Sequence, residues 1–327
     1  MINNSLLIYI SFIFFRIFIT SASSVIYGVS YDLTELIQID LMNQSFTSSN
    51  VKLTSQYIYT TYGIFSFNSE NNDLLISYTL ENNIHLANLN INNNEITDIQ
   101  SFSAVNMSKL ITVGQYQYFN ESTQTALMSS GYIYNEQGYY DAGLVKWDFN
   151  EKSSKFIYMD QLDTSQNYCT GTIGGINYET FYLFYFPNGN PSLLEYDLSQ
   201  SKITNDNQIE FSNSNVLGSL STLFPLYSNI NSGSLFFIES NETIVNLYLS
   251  NNNNQLKLIH QFPSEYYIPP LPYSLSQDGS TLFIFTCNVY PLLSITNYNL
   301  ETLSIISNFN ISLSSSSEYK TYMFLTI

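Results

Sequence analysis

The chain has 327 residues and a formal net charge of −17, with only nine Lys and Arg and two His. It is long enough to bury one large core. It is too poor in cations to offer a basic patch, which argues against nucleic acid or an anionic membrane as partner.

Residues 1–23 read as a secretory signal peptide: Leu6 to Thr20 is apolar and aromatic, and Ser21-Ala22-Ser23 supplies small residues for cleavage. The apolar run falls short of the roughly 20 residues of a membrane span and contains Arg16. Cleavage is therefore expected, an uncleaved anchor is the alternative, and no membrane insertion is expected after cleavage. The mature product, residues 24–327, is expected to be one extracellular domain, or one held in the lumen of an endolysosomal compartment.

From Val25 onward the chain reads as strands. Short runs rich in β-branched and aromatic residues alternate with Asn, Ser and Gly turns. Six stretches align on their middle residue: Ile39-Asp40-Leu41, Leu89-Asn90-Ile91, Trp147-Asp148-Phe149, Tyr196-Asp197-Leu198, Leu247-Tyr248-Leu249 and Tyr298-Asn299-Leu300. Their spacings are 50, 58, 49, 51 and 51 residues, a period that marks a solenoid, a propeller or an array. Each unit carries a second apolar run upstream, such as Phe181 to Phe186, and a further strand after the turn, such as Leu256 to His260. Four antiparallel strands per fifty residues make one propeller blade. The first unit lacks an opening strand and the last leaves Tyr319 to Ile327 over. The expectation is an all-β fold, a six-bladed β-propeller with four antiparallel strands per blade, closed by the C-terminal strand joining the N-terminal blade. The blades fall near 25–53 with 319–327, then 57–103, 107–162, 168–211, 218–262 and 266–311.

Ser274-Leu275-Ser276-Gln277-Asp278-Gly279-Ser280-Thr281-Leu282-Phe283-Ile284-Phe285 resembles a turn-and-strand of WD-repeat-like and lactonase-like propellers. Tyr196-Asp197-Leu198-Ser199-Gln200-Ser201-Lys202-Ile203 is similar to their outer hairpin. The Trp-Asp ends, Gly-His dipeptides and kelch glycine pair of such families are missing. The resemblance implies the superfold and no specific function, because propellers host many unrelated activities.

Five glycosylation sequons stand in the mature chain, at Asn43, Asn106, Asn120, Asn241 and Asn310. Cys169 and Cys287 are two blades apart on the blade map, too far for the roughly 7 Å that a disulfide spans. Two buried free thiols are expected, with a disulfide left open. His260 is expected to be exposed on an outermost strand, and His85 to open a third strand near a rim. Trp147 reads as core, and the aromatic content as packing between blades. No Gly-x-Ser-x-Gly elbow and no His or Cys pair with zinc spacing is present, and no cofactor or metal is expected. Ser276-Gln277-Asp278-Gly279 reads as a structural turn. Asn205 to Glu210 offers oxygen ligands but lacks the glycine and length of a calcium loop.

Loops on a rigid scaffold are where binding usually resides. In propellers the loops from second to third strand and from fourth strand to the next blade share one rim. Two such loops are rich in Tyr, acids and Pro, side chains that stack sugars or anchor a protein. They nominate Tyr134, Glu136, Tyr139, Tyr140, Asp141, Glu265, Tyr266 and Tyr267 as ligand-binding residues, and no residue as catalytic. The function expected is binding of a protein or glycan ligand. The alternatives are an extracellular hydrolase or lyase with carboxylates at the channel, and a structural or matrix protein without a small-molecule site.

Overall fold

The computed structural model describes residues 25–30, 32–53, 59–80, 83–103, 110–112, 117–120, 125–134, 140–162, 169–174, 179–185, 191–211, 222–228, 233–240, 244–250, 255–264, 273–276, 278–289, 292–312 and 322–326. These residues form strands and turns. The signal segment and the sequons at Asn106 and Asn241 lie outside them.

The strands build six sheets in chain order. The first contains β1 (Val25–Ser30), β2 (Glu35–Asp40) and β3 (Ser45–Asn50). The second contains β4 (Tyr59–Asn68), β5 (Asp73–Leu80), β6 (Asn83–Asn90) and β7 (Ile96–Ser103). The third contains β8 (Leu110–Thr112), β9 (Gln117–Asn120), β10 (Thr125–Tyr134), β11 (Tyr140–Asp148) and β12 (Ser153–Leu162). The fourth contains β13 (Cys169–Gly174), β14 (Thr180–Tyr185), β15 (Ser192–Asp197) and β16 (Lys202–Gln208). The fifth contains β17 (Glu210–Phe211), β18 (Thr222–Ser228), β19 (Ser234–Ser240), β20 (Ile244–Ser250) and β21 (Gln255–Pro263). The sixth contains β22 (Tyr273–Leu275), β23 (Thr281–Val289), β24 (Leu292–Asn299) and β25 (Ser304–Ser312). The last strand, β26 (Tyr322–Thr326), returns to the first sheet and pairs antiparallel with β1, Phe324 opposite Gly28.

Four antiparallel strands is the common plan, and two sheets depart from it. Both β8 and β9 pair with β10, so the opening strand of the third sheet is split. The short β17 leaves the fourth unit and pairs parallel with β21 of the fifth. Lys52 bridges in parallel to Glu95 in the same way, reinforced by a 3.0 Å ion pair. In both places the chain leaving one sheet covers the outer edge of the next, and a covered edge cannot pair with another molecule.

The repeated Asp or Asn has a physical cause. It ends the third strand of its sheet, and its side-chain oxygen holds the turn that follows. Asp40 Oδ1 accepts from the amides of Met42 and Asn43, both at 2.9 Å, and Asp197 Oδ1 from Ser199 and Gln200, both at 2.8 Å. Asn90, Asp148 and Asn299 accept equivalent bonds from Asn93, Glu151 and Thr302. Four residues after each anchor a non-glycine residue takes a left-handed conformation: Gln44, Asn94, Lys152, Ser201 and Leu303, with φ between 50° and 59°. That conformation is disfavoured for L residues, and the side-chain-to-amide bonds hold the turn that requires it.

The fifth unit corrects the alignment. Thr180 pairs with Asp197 and Thr281 with Asn299, and the matching pair in the fifth sheet is Phe236 with Leu249. Leu249, not Tyr248, holds the anchor position. Leucine offers no acceptor, and the hairpin is longer: Leu249 pairs with Lys257, where Asp197 pairs with Lys202. Tyr248 corresponds to Tyr196 and Tyr298, and all three are buried.

The core lies between sheets. Tyr27, Val29 and Leu36 of the first sheet pack on Leu74, Ile76 and Ala87 of the second. Phe184 and Leu193 of the fourth pack on Phe237 and Tyr248 of the fifth. Phe236 and Ile238 pack on Leu282, Ile284 and Tyr298 of the sixth. Phe283, Phe285 and Ile295 of the sixth pack on Ile26, Ile37 and Ile39 of the first. Aromatic pairs cross these seams, such as Tyr27 with Phe67 at 5.3 Å and Phe184 with Phe237 at 5.8 Å. Each fully buried Leu, Ile or Phe contributes roughly 1.5–3 kcal/mol, so the seams are the main source of stability. Trp147 lies in β11 opposite Ala126, and its side chain is outside the described residues.

Candidate functional site

The two ends of the sheets differ in chemistry. Near the hairpins that join second and third strands, the buried positions include Ser30, Glu35, His85, Ser192, Glu239 and Thr286. At the opposite end the same strands bury Ile26, Ile39, Leu74, Leu89, Phe181 and Leu282. Buried polar groups are costly unless hydrogen-bonded, and three clusters show how groups in these sheets are engaged.

In the second sheet, Asp98 of β7 accepts from the Tyr78 hydroxyl at 2.6 Å and lies 3.1 Å from His85 Nδ1. The Tyr78 and His85 rings stack, with centroids 4.7 Å apart. His85 is buried, and its Nε2 has no hydrogen-bond partner among the described residues. In the fourth sheet the Tyr185 hydroxyl donates to Asp206 at 2.9 Å, from the same strand pair as Tyr78 and Asp98. In the fifth, Glu239 is 1% exposed and replaces the aliphatic Ile76, Leu183 and Ile284 of other sheets. Its Oε2 accepts from Tyr248 at 2.7 Å and from Asn246 at 2.8 Å, and Asn246 Oδ1 accepts from Gln261. Burial, reinforced by the bond to Glu239, holds the Tyr248 hydroxyl far above the usual phenol range. Burial also pushes the Tyr182 hydroxyl up to about 12, with the Glu195 charge adding to it.

Among the nominated ligand residues, the described backbone places Tyr134 at the end of β10, opposite Tyr140 of β11, and Asp141 opposite Ile133. Glu136, Tyr139, Glu265, Tyr266 and Tyr267 lie outside the described residues. The sequence reading passed over Tyr78, Asp98, Tyr185, Asp206, Glu239 and Tyr248. A signal was present in a Tyr followed about 20 residues later by an Asp in two units, but 28 tyrosines hide it.

His260 corrects an expectation. Its ring is half-buried, 4.6 Å from that of Phe262 and 5.4 Å from that of Tyr298 in the next sheet. An outer strand still turns one face to its neighbour, and His260 is on that face. Asn205 to Gln208 lie in β16, not in a loop, and their successive side chains point to opposite faces of the sheet. Among the described residues no group of three or more His, Cys, Asp or Glu could hold a metal ion. Ser276 to Ser280 is the expected structural turn: Gly279 has φ 72°, and Asp278 Oδ1 accepts from the Ser280 amide at 2.9 Å. Cys169 opens β13 and Cys287 lies in β23, in the fourth and sixth sheets with the fifth between them.

No family model matches the sequence, and no curated protein matches it. Solved structures do. The chain is similar to TolB from Acinetobacter baumannii at 12% identity and TM-score 0.55, covering 93% of this chain and 67% of that one. It is similar to a protein from Lactobacillus plantarum at 10% identity and TM-score 0.56, covering 93% and 99%. The chain is a β-propeller. A chain of the nidogen/laminin complex matches this propeller at 9% identity and TM-score 0.51, covering 92% and 97%. At such identities the likeness concerns the fold alone.

Proposed function

We propose that this propeller is a secreted glycoprotein, a closed ring of six blades that binds a protein or a glycan on the rim carrying the second-to-third-strand hairpins. The ring reading is supported by the β1–β26 pairing and by the packing of the sixth sheet against the first. One observation carries the binding reading. Among the described residues, several groups of this kind are engaged with one another, Tyr78 and His85 with the exposed Asp98 and Tyr248 with the buried Glu239. Such groups stiffen a support and leave recognition to the loops above it. Those loops hold Glu136, Tyr139, Glu265, Tyr266 and Tyr267, flanked by Tyr134, Tyr140 and Asp141. The nidogen/laminin complex places the same fold in a protein–protein assembly.

The test is binding of the mature domain to a glycan panel and to cell-surface protein extracts, with and without calcium. The expected result is specific binding that the Tyr139→Ala/Tyr140→Ala variant loses at least tenfold while its thermal unfolding is unchanged. Binding that is indifferent to this pair and to Glu265→Ala/Tyr266→Ala refutes the rim site.

A further inference from the structure

The seam between the fourth and fifth sheets holds an aromatic pair with an acid beside it. Tyr182 of β14 stacks on Tyr227 of β18, with ring centroids 5.8 Å apart and planes 12° apart. Glu195 of β15 stands directly opposite Tyr182 in the register, and cross-strand partners leave a sheet on the same face. All three side chains are partly buried. The place of Tyr227 is built in. A Cβ on Gly174, at the end of β13, would run into its ring, and one on Gly233, where φ is 94°, would run into its hydroxyl. Tyr182 packs against the core that holds Phe184 and Phe237, as Leu235 and Leu258 do.

The first and second sheets supply the comparison. There Tyr27 stacks on Phe67 and stands opposite Gln38. The aromatic pair is thus an element of the seams, and the acid is what the fourth sheet adds. The matching positions of the other sheets hold Asn88, Lys146, Leu247 and Asn297, so Glu195 is the one carboxylate among these six positions. Tyr27 is buried, whereas Tyr182 keeps partial access to solvent. The Glu195 carboxylate has no hydrogen bond or ion pair among the described residues. Lys202 stands opposite Asp197, and its charge acts on that carboxyl. Burial, with the Glu195 charge adding to it, raises the Tyr182 hydroxyl, so the carboxylate is within electrostatic reach of a ring that stays neutral. We propose that Tyr182, Tyr227 and Glu195 form a binding site for a small molecule bearing an alkylated ammonium group. The faces of the phenol rings attract the cation, Glu195 neutralises it, and the apolar side chains of the seam suit its methyl groups. A bare ammonium is more strongly hydrated and gains less from such walls. A chain of net charge −17 draws cations towards itself. β14 begins two residues before Tyr182 and β15 ends two residues after Glu195. The site therefore lies away from the second-to-third-strand hairpins and does not depend on the rim reading.

The experiment is titration calorimetry of the purified protein with choline and with its uncharged isostere 3,3-dimethylbutan-1-ol. The expected result is saturable choline binding, with the isostere weaker by about tenfold or more. Glu195→Gln gives the fourth sheet the side chain that the first sheet carries, and Tyr182→Leu gives it the Leu75 of the second. Each is expected to weaken choline binding about tenfold, with thermal unfolding of Glu195→Gln unchanged. Glu301→Gln removes an equal charge from an exposed turn of the sixth sheet and is expected to leave binding as it was. Equal affinity for the isostere reduces the site to an apolar cleft and overturns the cation reading. Choline binding that Glu301→Gln weakens as much as Glu195→Gln reflects the general field of the chain and overturns the site, as does choline binding that is absent or indifferent to Glu195→Gln.

Discussion

Two tyrosine–carboxylate bonds look alike and differ in consequence. Tyr248 donates to Glu239, which is buried, whereas Tyr185 donates to Asp206, which is exposed. Replacing Tyr248 by Phe leaves a buried carboxyl short of a donor, at a cost of about 1–3 kcal/mol, while Asp206 regains water when Tyr185 becomes Phe and the cost is about 0.5–1.5 kcal/mol. Urea unfolding of the two variants is expected to show the larger midpoint shift for Tyr248→Phe, and equal shifts would refute the distinction. Neither partner was evident from the sequence, because a hydrogen bond between strands depends on register and on which face each residue takes.

The third-to-fourth-strand hairpins titrate as elements. Asp40 is held below the usual carboxylate range by the Asn43 amide and side chain, and Asp197 by the Ser199 hydroxyl and the Gln200 amide. A depressed folded value means that the ionised form is favoured by folding. The stabilisation is complete above the ordinary carboxylate pKa of about 3.9 and is lost as pH falls through the lower folded values. Asn90 and Asn299 do the same work in their turns without a titrating group. The Asp40→Asn/Asp197→Asn variant is therefore expected to keep its stability near neutrality and to lose less on acidification. A melting-temperature profile against pH identical to that of wild type would count against it. This element was legible in the sequence because one side chain and the next three amides suffice to build it. The fifth unit was misread by one residue because Leu249 lacks that acceptor, and the Leu-Tyr-Leu pattern offered the wrong match.

At the scale of the molecule, β26 joins the two ends of the chain. It pairs with β1 and neighbours both β22 and β4. Removing residues 319–327 opens the edge of β1 and uncovers the inner strands on both sides. The truncated chain is expected to give little soluble protein and to run as aggregate on size exclusion, and recovery as a monomer with wild-type melting would show that this pairing is dispensable. The packing of the sixth sheet against the first predicts the same outcome, since Ile26, Phe283 and Phe285 are buried together in that seam.

By itself the sequence determined the strand period, the sheet boundaries to within a few residues, the anchor turns and the return of the last strand. Each depends on local chemistry or on alternation along the chain, and these survive without knowledge of neighbours. Only the tertiary structure decided which end of the sheets is polar inside, that Asp98 serves both Tyr78 and His85, and that His260 faces the next sheet. Those facts join residues brought together by strand register and by packing between sheets, of which spacing along the chain carries no trace.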